Sequence, residues 1–150
     1  MNLRRVVTGL KGTKSGVIHE GATPKVFGDE NHVFAEVWAT DSKVPECRGA
    51  DDITESFESF RTDMAPGQTR FRLVQFPAGF DAPMHATPTI DYIVVVDGEI
   101  DLELEDGSEI HVSKGDAVVQ RGVKHAWHNR TDKPFQMAVV MIGTDLLPDN

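Results

Sequence analysis

The sequence predicts an all-β fold of the sandwich or barrel type. Short runs of β-branched and aromatic residues recur along the chain, and glycine, proline and aspartate separate them. Strands at such regular spacing are typical of sandwiches and barrels. The runs span residues 16–19, 33–39, 70–76, 92–96, 99–105, 109–112, 117–120, 125–129 and 135–142.

The clearest strand pattern is the alternation in residues 99–105. The apolar residues share one face of a strand and are Ile100, Leu102 and Leu104. The acidic residues share the other face and are Glu99, Asp101, Glu103 and Glu105. The following Asp106-Gly107 pair suits a two-residue hairpin turn, so a half-buried hairpin is predicted. Side chains along one outward face do not converge, so we expect a solvated surface rather than a cation site.

Residues 44–68 differ from the rest of the chain, because they combine prolines, glycines and an acidic stretch. They predict a long irregular connection with one helical turn near residues 53–60. Long connections in compact domains are often lids or interface arms, and the sequence does not choose between the two.

Length and composition predict one soluble domain. A chain of 150 residues with 39% hydrophobic content can bury a core. We expect one domain over residues 1–150, with its barrel core at about 70–143 and additional strands and the loop in 1–69.

The net charge of −9 disfavours nucleic acid and anionic membranes as partners and favours a small molecule. The single cysteine, Cys47, forms no intrachain disulfide. No secretory signal or membrane span is predicted, so a cytoplasmic location is expected.

Two of the six histidines, His85 and His125, have neighbours whose spacing indicates a possible metal site. In an extended chain, His85 and Asp91 share a side with Thr87 and Thr89. The same count along residues 125–129 places Trp127 and Asn129 on the face of His125 and turns His128 outward. His85, Asp91 and His125 are therefore candidates to converge inside a barrel. Two imidazoles and a carboxylate leave metal positions open, and Fe(II) is the usual occupant, while zinc, manganese or nickel accept the same donors.

The stretch from Gly79 to Gly98 carries a recognisable motif. Five residues separate Gly79 from His85, three separate Thr87 from Asp91, and six separate Asp91 from Gly98. These spacings match the pattern G-x5-H-x-H-x3-E-x6-G, which is the first motif of the cupin superfamily.

Residues 115–129 resemble the second cupin motif, with Gly122, His125 and Asn129 in matching positions. The resemblance covers about half of the chain. The short spacing between the two motifs is similar to that of small bacterial single-domain cupins. It implies a jelly-roll β-barrel with additional N-terminal strands, a metal site at the matching His85, Asp91 and His125, and a homodimer, because similar small cupins are commonly dimers.

Three residues depart from the cupin pattern. Thr87 replaces the second histidine, and a hydroxyl is a poor metal ligand. Asp91 replaces the glutamate with a side chain about 1.5 Å shorter, so it either binds the metal or orients a neighbour. Gln120 replaces the proline of the second motif and could place an amide in the cavity. The resemblance therefore implies at most three metal ligands.

Five further residues are candidates for a substrate pocket: Met84, Thr87, Gln120, Trp127 and Asn129. Trp127 shares the face of His125 and is a candidate cavity wall. Asn129 suits a hydrogen bond behind the ligands or a strand-end cap. Met84, Met137 and Met141 would form either an adaptable apolar lining or plain core.

The leading functional hypothesis is a metal-dependent enzyme that acts on a carbonyl, enol or aromatic, polyketide-like molecule. The resemblance allows oxygenation, decarboxylation or isomerisation, and a fold does not choose between them. One alternative is a metal-free epimerase or isomerase in which His85 and Asp91 act as acid and base. Another is a non-catalytic protein that binds a metabolite, which the missing second histidine favours.

Overall fold

The structure is a computed structural model that describes residues 3–42 and 44–145. Within these ranges the chain forms strands and one short 3-10 helix at Ile53–Ser56. In chain order the strands are β1 (Arg4–Lys11), β2 (Lys14–Ala22), β3 (Lys25–Gly28), β4 (Val33–Thr40), β5 (Thr69–Phe76), β6 (Thr89–Asp97), β7 (Glu99–Leu104), β8 (Glu109–Ser113), β9 (Ala117–Arg121), β10 (His125–His128) and β11 (Phe135–Gly143).

Two sheets enclose the core. The larger sheet has the order β3-β4-β5-β11-β6-β9, and the smaller has the order β10-β7-β8. Buried residues of both sheets form one apolar cluster, which includes Val74, Ile93 and Phe135 from the larger sheet and Ile100 and Trp127 from the smaller. Strands β1 and β2 form a separate two-stranded sheet. The all-β jelly-roll barrel predicted from the sequence is confirmed.

The predicted hairpin forms as expected. Strands β7 and β8 pair antiparallel, with Ile100 opposite Val112 and Leu102 opposite Ile110. Ile100 and Leu102 are buried, as the alternation predicted. The sequence analysis did not find β1 or β3, and it found only part of β2.

The connection between β4 and β5 is irregular and holds one turn of 3-10 helix, as predicted. Asp52 caps that helix by accepting hydrogen bonds from the main-chain and side-chain groups of Thr54. The carboxylate of Asp52 also forms a buried salt bridge with Arg5 of β1. The connection is therefore anchored to the two-stranded sheet of β1 and β2 at this point.

The N-terminal half contributes to the larger sheet. Strand β4 pairs with β5, so that Phe34 lies opposite Val74 and Glu36 lies opposite Arg72. Strand β11 lies centrally between β5 and β6. The two halves of the chain thus build the barrel together.

Within the described part of the chain, no helix is long and apolar enough to cross a membrane.

Candidate functional site

His85 and His125 lie side by side at one end of the barrel. The N–H of each residue donates to the carbonyl of the other at 2.9 Å, so the segment before β6 is bridged to β10. The centroids of the two imidazole rings are 4.4 Å apart. The structure therefore brings together the two histidines that the sequence singled out.

The main chain fixes the tautomer of both imidazoles. Nδ1 of His85 lies 2.9 Å from the carbonyl oxygen of Pro83, and Nδ1 of His125 lies 2.9 Å from that of Val123. A carbonyl oxygen only accepts, so each Nδ1 carries a proton, and in the neutral form of each ring Nε2 is the nitrogen with the lone pair. The geometry leaves two nitrogen donors available for a ligand.

The two imidazoles differ in exposure. His85 is exposed, whereas His125 is buried. Burial lowers the pKa of His125 to about 4, an effect that a hydrogen bond to the carbonyl of Val123 partly opposes. His125 is therefore neutral at physiological pH, which is the form that binds metals or accepts protons.

Asp91 lies on β6 with its side chain inside the barrel and 7% of its surface exposed. Burial raises its pKa, and a hydrogen bond from Thr89 together with the charges of Arg72 and His85 opposes the rise. Within the described residues, the buried Oδ1 atom of Asp91 has no hydrogen-bond partner. This carboxylate is thus held in a setting that favours protonation or ligand binding.

Gln120 lies on β9 directly opposite Asp91. Its side chain is buried, and Nε2 lacks a hydrogen-bond partner among the described residues. The Thr87 hydroxyl is 2.8 Å from that of Thr89, so it is already engaged. The prediction that Gln120 brings an amide into the interior agrees with this geometry.

These side chains face one cavity of about 300 Å³. His85, Thr87, Asp91, Gln120 and His125 all contribute to its wall. Most of the remaining wall is aromatic or apolar, and includes Phe34, Phe60, Phe76, Phe80, Trp127 and Met137. A cavity with this lining suits a small, mainly apolar molecule with a few polar groups.

The sequence analysis missed the aromatic part of this wall. Phe34 comes from β4 and Phe60 from the long connection, and their ring centroids are 4.0 Å apart. His32 packs between Phe34 and Phe80. No local pattern signals the contacts of Phe34 with Phe60 and of His32 with Phe80, because each joins segments that are distant in sequence.

An ion pair inside the barrel was also missed. Nε of Arg72 donates to Oε1 of Glu36 at 2.6 Å, and both side chains are almost fully buried. The same guanidinium donates to the carbonyl of Arg61 and contacts the sulfur of Met141. Arg72 therefore ties the long connection to the cavity wall.

Two predicted pocket residues lie outside the cavity lining. Met84 is 39% exposed. Asn129 is buried, but its amide donates to the carbonyls of Pro77 and Lys133, each at 2.8 Å. Its side-chain oxygen accepts from Thr131. Asn129 thus ties loops together at the end of β10, which is the capping role that the sequence offered as an alternative.

The donors in the cavity only partly fit a metal ion. The ligand atoms of His85, Asp91 and His125 do not all lie within 4.8 Å of one another, and the one set in the described ranges that does is Glu103, Glu109 and His128. The two imidazoles nevertheless direct Nδ1 to main-chain carbonyls, and burial keeps His125 neutral, as a metal ligand must be. His85 and His125 therefore remain candidate donors, and the three side chains together do not form a compact ligand set.

The Glu103, Glu109 and His128 set lies on the outer face of the smaller sheet and is already paired. Both ring nitrogens of His128 face carboxylates, Nδ1 that of Asp81 and Nε2 that of Glu103. Arg130 binds Glu109. His128 points outward, as predicted, and His128 and Arg130 pair with carboxylates on this face.

Comparison with known proteins agrees with the fold. The family described as "Cupin domain" matches residues 72–142. The cupin domain of Cnp3 from Schizosaccharomyces pombe superposes with a TM-score of 0.56 at 13% identity, covering 93% of this chain and 87% of that one. This likeness concerns the fold alone.

Two curated relatives come from fungi. Phomopsin biosynthesis cluster protein C' of Diaporthe leptostromiformis is 36% identical over 116 residues, which are 76% of this chain and 61% of that protein. A cupin-domain-containing oxidoreductase of Hypocrea virens is 28% identical over 130 residues, which are 85% of this chain and 67% of the relative. This chain thus spans about three fifths of the length of the first relative. Residues 72–142 therefore form a cupin domain.

Proposed function

We propose that this chain is a cupin-type oxidoreductase that acts on a small, mainly apolar molecule held in the barrel cavity. We further propose that Nε2 of His85 and Nε2 of His125 hold a divalent transition metal there. One observation carries the proposal: both imidazoles donate Nδ1–H to main-chain carbonyls and keep Nε2 free in the same aromatic cavity. The oxidoreductase name of a relative favours oxidation over decarboxylation or isomerisation.

The residues define how such a site would work. A bound metal would supply Lewis-acid and redox chemistry, and Fe(II) is the ion that imidazole donors with open positions favour, with zinc, manganese or nickel as alternatives. His125 stays neutral because it is buried, so it keeps its lone pair over the physiological pH range. The aromatic walls exclude bulk water and strengthen polar contacts inside the cavity.

We assign Asp91 a contact with the substrate. It was predicted as the third metal ligand, and its donor atom does not form a compact set with those of both imidazoles. Its raised pKa and unpartnered Oδ1 suit a group that accepts a proton from a bound substrate.

The metal-free alternative rests on a His85–Asp91 acid-base pair. In the described residues no hydrogen bond joins the two side chains, and Nδ1 of His85 is engaged by Pro83. A base oriented by a carboxylate normally makes that hydrogen bond. The geometry therefore favours the metal-dependent proposal.

Metal content tests the proposal directly. Purified protein is reconstituted with Fe(II), Mn(II), Ni(II) or Zn(II), desalted and analysed by inductively coupled plasma mass spectrometry. We expect about one equivalent of at least one metal, with a loss of about tenfold or more in His85→Gln and His125→Gln. His128→Gln, which changes the outer face, is the matched control and should keep full occupancy.

Less than about a tenth of an equivalent of every metal would overturn the metal-dependent proposal. Conversion of carbonyl, enol and aromatic polyketide-like compounds is then followed by chromatography, together with dioxygen uptake, with and without chelator. Full turnover in chelator that His85→Gln abolishes would instead support the acid-base alternative. A ligand that copurifies unchanged, without turnover, would support a binding protein.

The homodimer and the cytoplasmic location stay predictions.

A further inference from the structure

We propose that Asp91 and Gln120 together recognise a secondary amide, such as a lactam, in the molecule that occupies the cavity. Gln120 donates to the amide oxygen, and Asp91 accepts from the amide N–H. The inference deepens the proposed function, because it rests on the cavity being the substrate site, but it does not depend on the metal.

Two unpartnered atoms in the cavity wall carry the inference. Gln120 is 4% exposed and Asp91 7% exposed, yet Nε2 of the first and Oδ1 of the second have no hydrogen-bond partner among the described residues. A buried polar group without a partner loses its hydrogen bonds to water and gains none in return, which is unfavourable. Two such groups in one apolar cavity indicate partners that a ligand supplies.

The neighbouring protein groups do not supply these partners. On the far side of Asp91 the strand pairing places Met141, a thioether without a donor. The hydroxyls of Thr87 and Thr89 bond to each other, and the hydrogen bond from Thr89 to the Asp91 carboxylate leaves Oδ1 without a partner among the described residues. The guanidinium of Arg72 donates its hydrogen bonds to Glu36, to the sulfur of Met141 and to the carbonyl of Arg61.

The spacing of the two groups fits an amide. Asp91 and Gln120 lie directly opposite on antiparallel strands β6 and β9, which places their Cβ atoms about 5 Å apart. They present one acceptor and one donor side by side. An amide in a ring presents the complementary donor and acceptor on adjacent atoms, and the aromatic walls suit a flat ring next to it.

Binding of a bicyclic lactam tests the proposal. Isothermal titration calorimetry compares 2-quinolone with N-methyl-2-quinolone, which lacks the N–H, on chelator-treated and on zinc-loaded protein. We expect 2-quinolone to bind about tenfold more tightly than its N-methyl form. Gln120→Met keeps the side-chain length but removes the donor and should weaken 2-quinolone binding by about tenfold. Val119→Leu, on the exposed face of the same strand, should change nothing.

A second measurement keeps the test decisive if Gln120→Met folds poorly. In the wild-type protein, the side-chain amide protons of Gln120 should shift in the nuclear magnetic resonance spectrum when 2-quinolone is added. Equal affinity for both quinolones, or an unshifted Gln120 amide, would overturn the proposal. Lactam binding without metal binding would leave this inference standing and overturn only the metal-dependent function, so the two failures are distinguishable.

Discussion

The main-chain groups of His85 and His125 bond to each other in both directions, with both N–H to oxygen distances at 2.9 Å. This bridge sets the relative position of the two imidazoles through the backbone rather than through their side chains. Substitution of either side chain therefore leaves the bridge in place.

The first prediction follows from that bridge. His85→Gln should leave the free energy of unfolding within about 0.5 kcal/mol of wild type, because the exposed side chain adds little packing. Chemical denaturation in the presence of chelator measures this. A loss of about 2 kcal/mol or more would show that the imidazole itself holds the segment.

The buried Asp91 should lower stability at neutral pH. Its pKa is raised by burial, so the folded state resists ionisation, and stability falls as pH rises from the unfolded value through the raised folded value. Asp91→Asn should therefore raise the melting temperature at pH 7 in chelator and flatten its dependence on pH. An unchanged or lower melting temperature at pH 7 would contradict the prediction. Asp101→Asn is the control for carboxylate removal, because the pKa of Asp101 is lowered, mainly by its hydrogen bond with His111.

Glu36 should be required to neutralise Arg72. Burial raises the pKa of Glu36, and the Arg72 guanidinium opposes the rise. Removal of one partner leaves a buried charge, so Glu36→Gln should cost about 3–5 kcal/mol. Glu20→Gln, in the exposed pair with Arg4, should cost less than about 1 kcal/mol. Urea denaturation measures both losses of unfolding free energy. Equal losses in the two variants would show that burial does not determine how much an ion pair contributes to stability.

His128 contacts Asp81, in the segment before β6, and Glu103 of β7, and we call this group the His128 clasp. The clasp should hold the segment before β6 in a pH-dependent way. The hydrogen bond with Asp81 raises the pKa of His128, desolvation opposes it, Glu103 adds to the rise and the charge of Arg130 lowers it. The stabilisation is fully present below the unfolded pKa of about 6.5 and is lost as pH rises through the raised folded pKa.

Hydrogen exchange of the main-chain amides at residues 81–85 measures that clasp, after correction for intrinsic exchange rates. Protection should fall with rising pH in wild type and stay low and flat in His128→Gln. Identical profiles in the two proteins would exclude the clasp. His111→Gln is the control, because His111 pairs with Asp101 on the same sheet but does not contact this segment.

Gly98 should be intolerant of a side chain. Its φ is +79°, and a Cβ there would lie 2.9 Å from the carbonyl oxygen of Pro134. Gly98→Ala therefore adds a main-chain clash to the strain of the left-handed conformation. Gly107→Ala shares the strain, with φ of +82°, but meets no atom within 4 Å. Thermal denaturation should show the larger loss for Gly98→Ala, and equal losses would mean that the clash relaxes.

The sequence predicted features that depend on neighbouring residues. The hairpin of β7 and β8 follows from alternation and one turn, and the shared side of Thr87 and Asp91 follows from strand parity. Strand β1 was missed because charged residues and a glycine mask its pattern, and β3 because it has only four residues.

The rest of the site depends on strand register, which the sequence does not reveal. Asp91 lies opposite Gln120, and Glu36 lies opposite Arg72, only because particular strands pair in a particular alignment. The aromatic wall requires Phe60 of the long connection to reach Phe34. These contacts join residues between 26 and 36 positions apart. Patterns among neighbouring residues therefore do not predict them.

The acceptors that fix the two imidazoles belong to the backbone, and this makes the donor pair robust during evolution. Any residue at position 83 or 123 would offer the same carbonyl oxygen to Nδ1. Sequence drift at those positions would therefore leave the tautomers unchanged, and the cavity walls could be remodelled for new molecules around an unaltered pair of nitrogen donors.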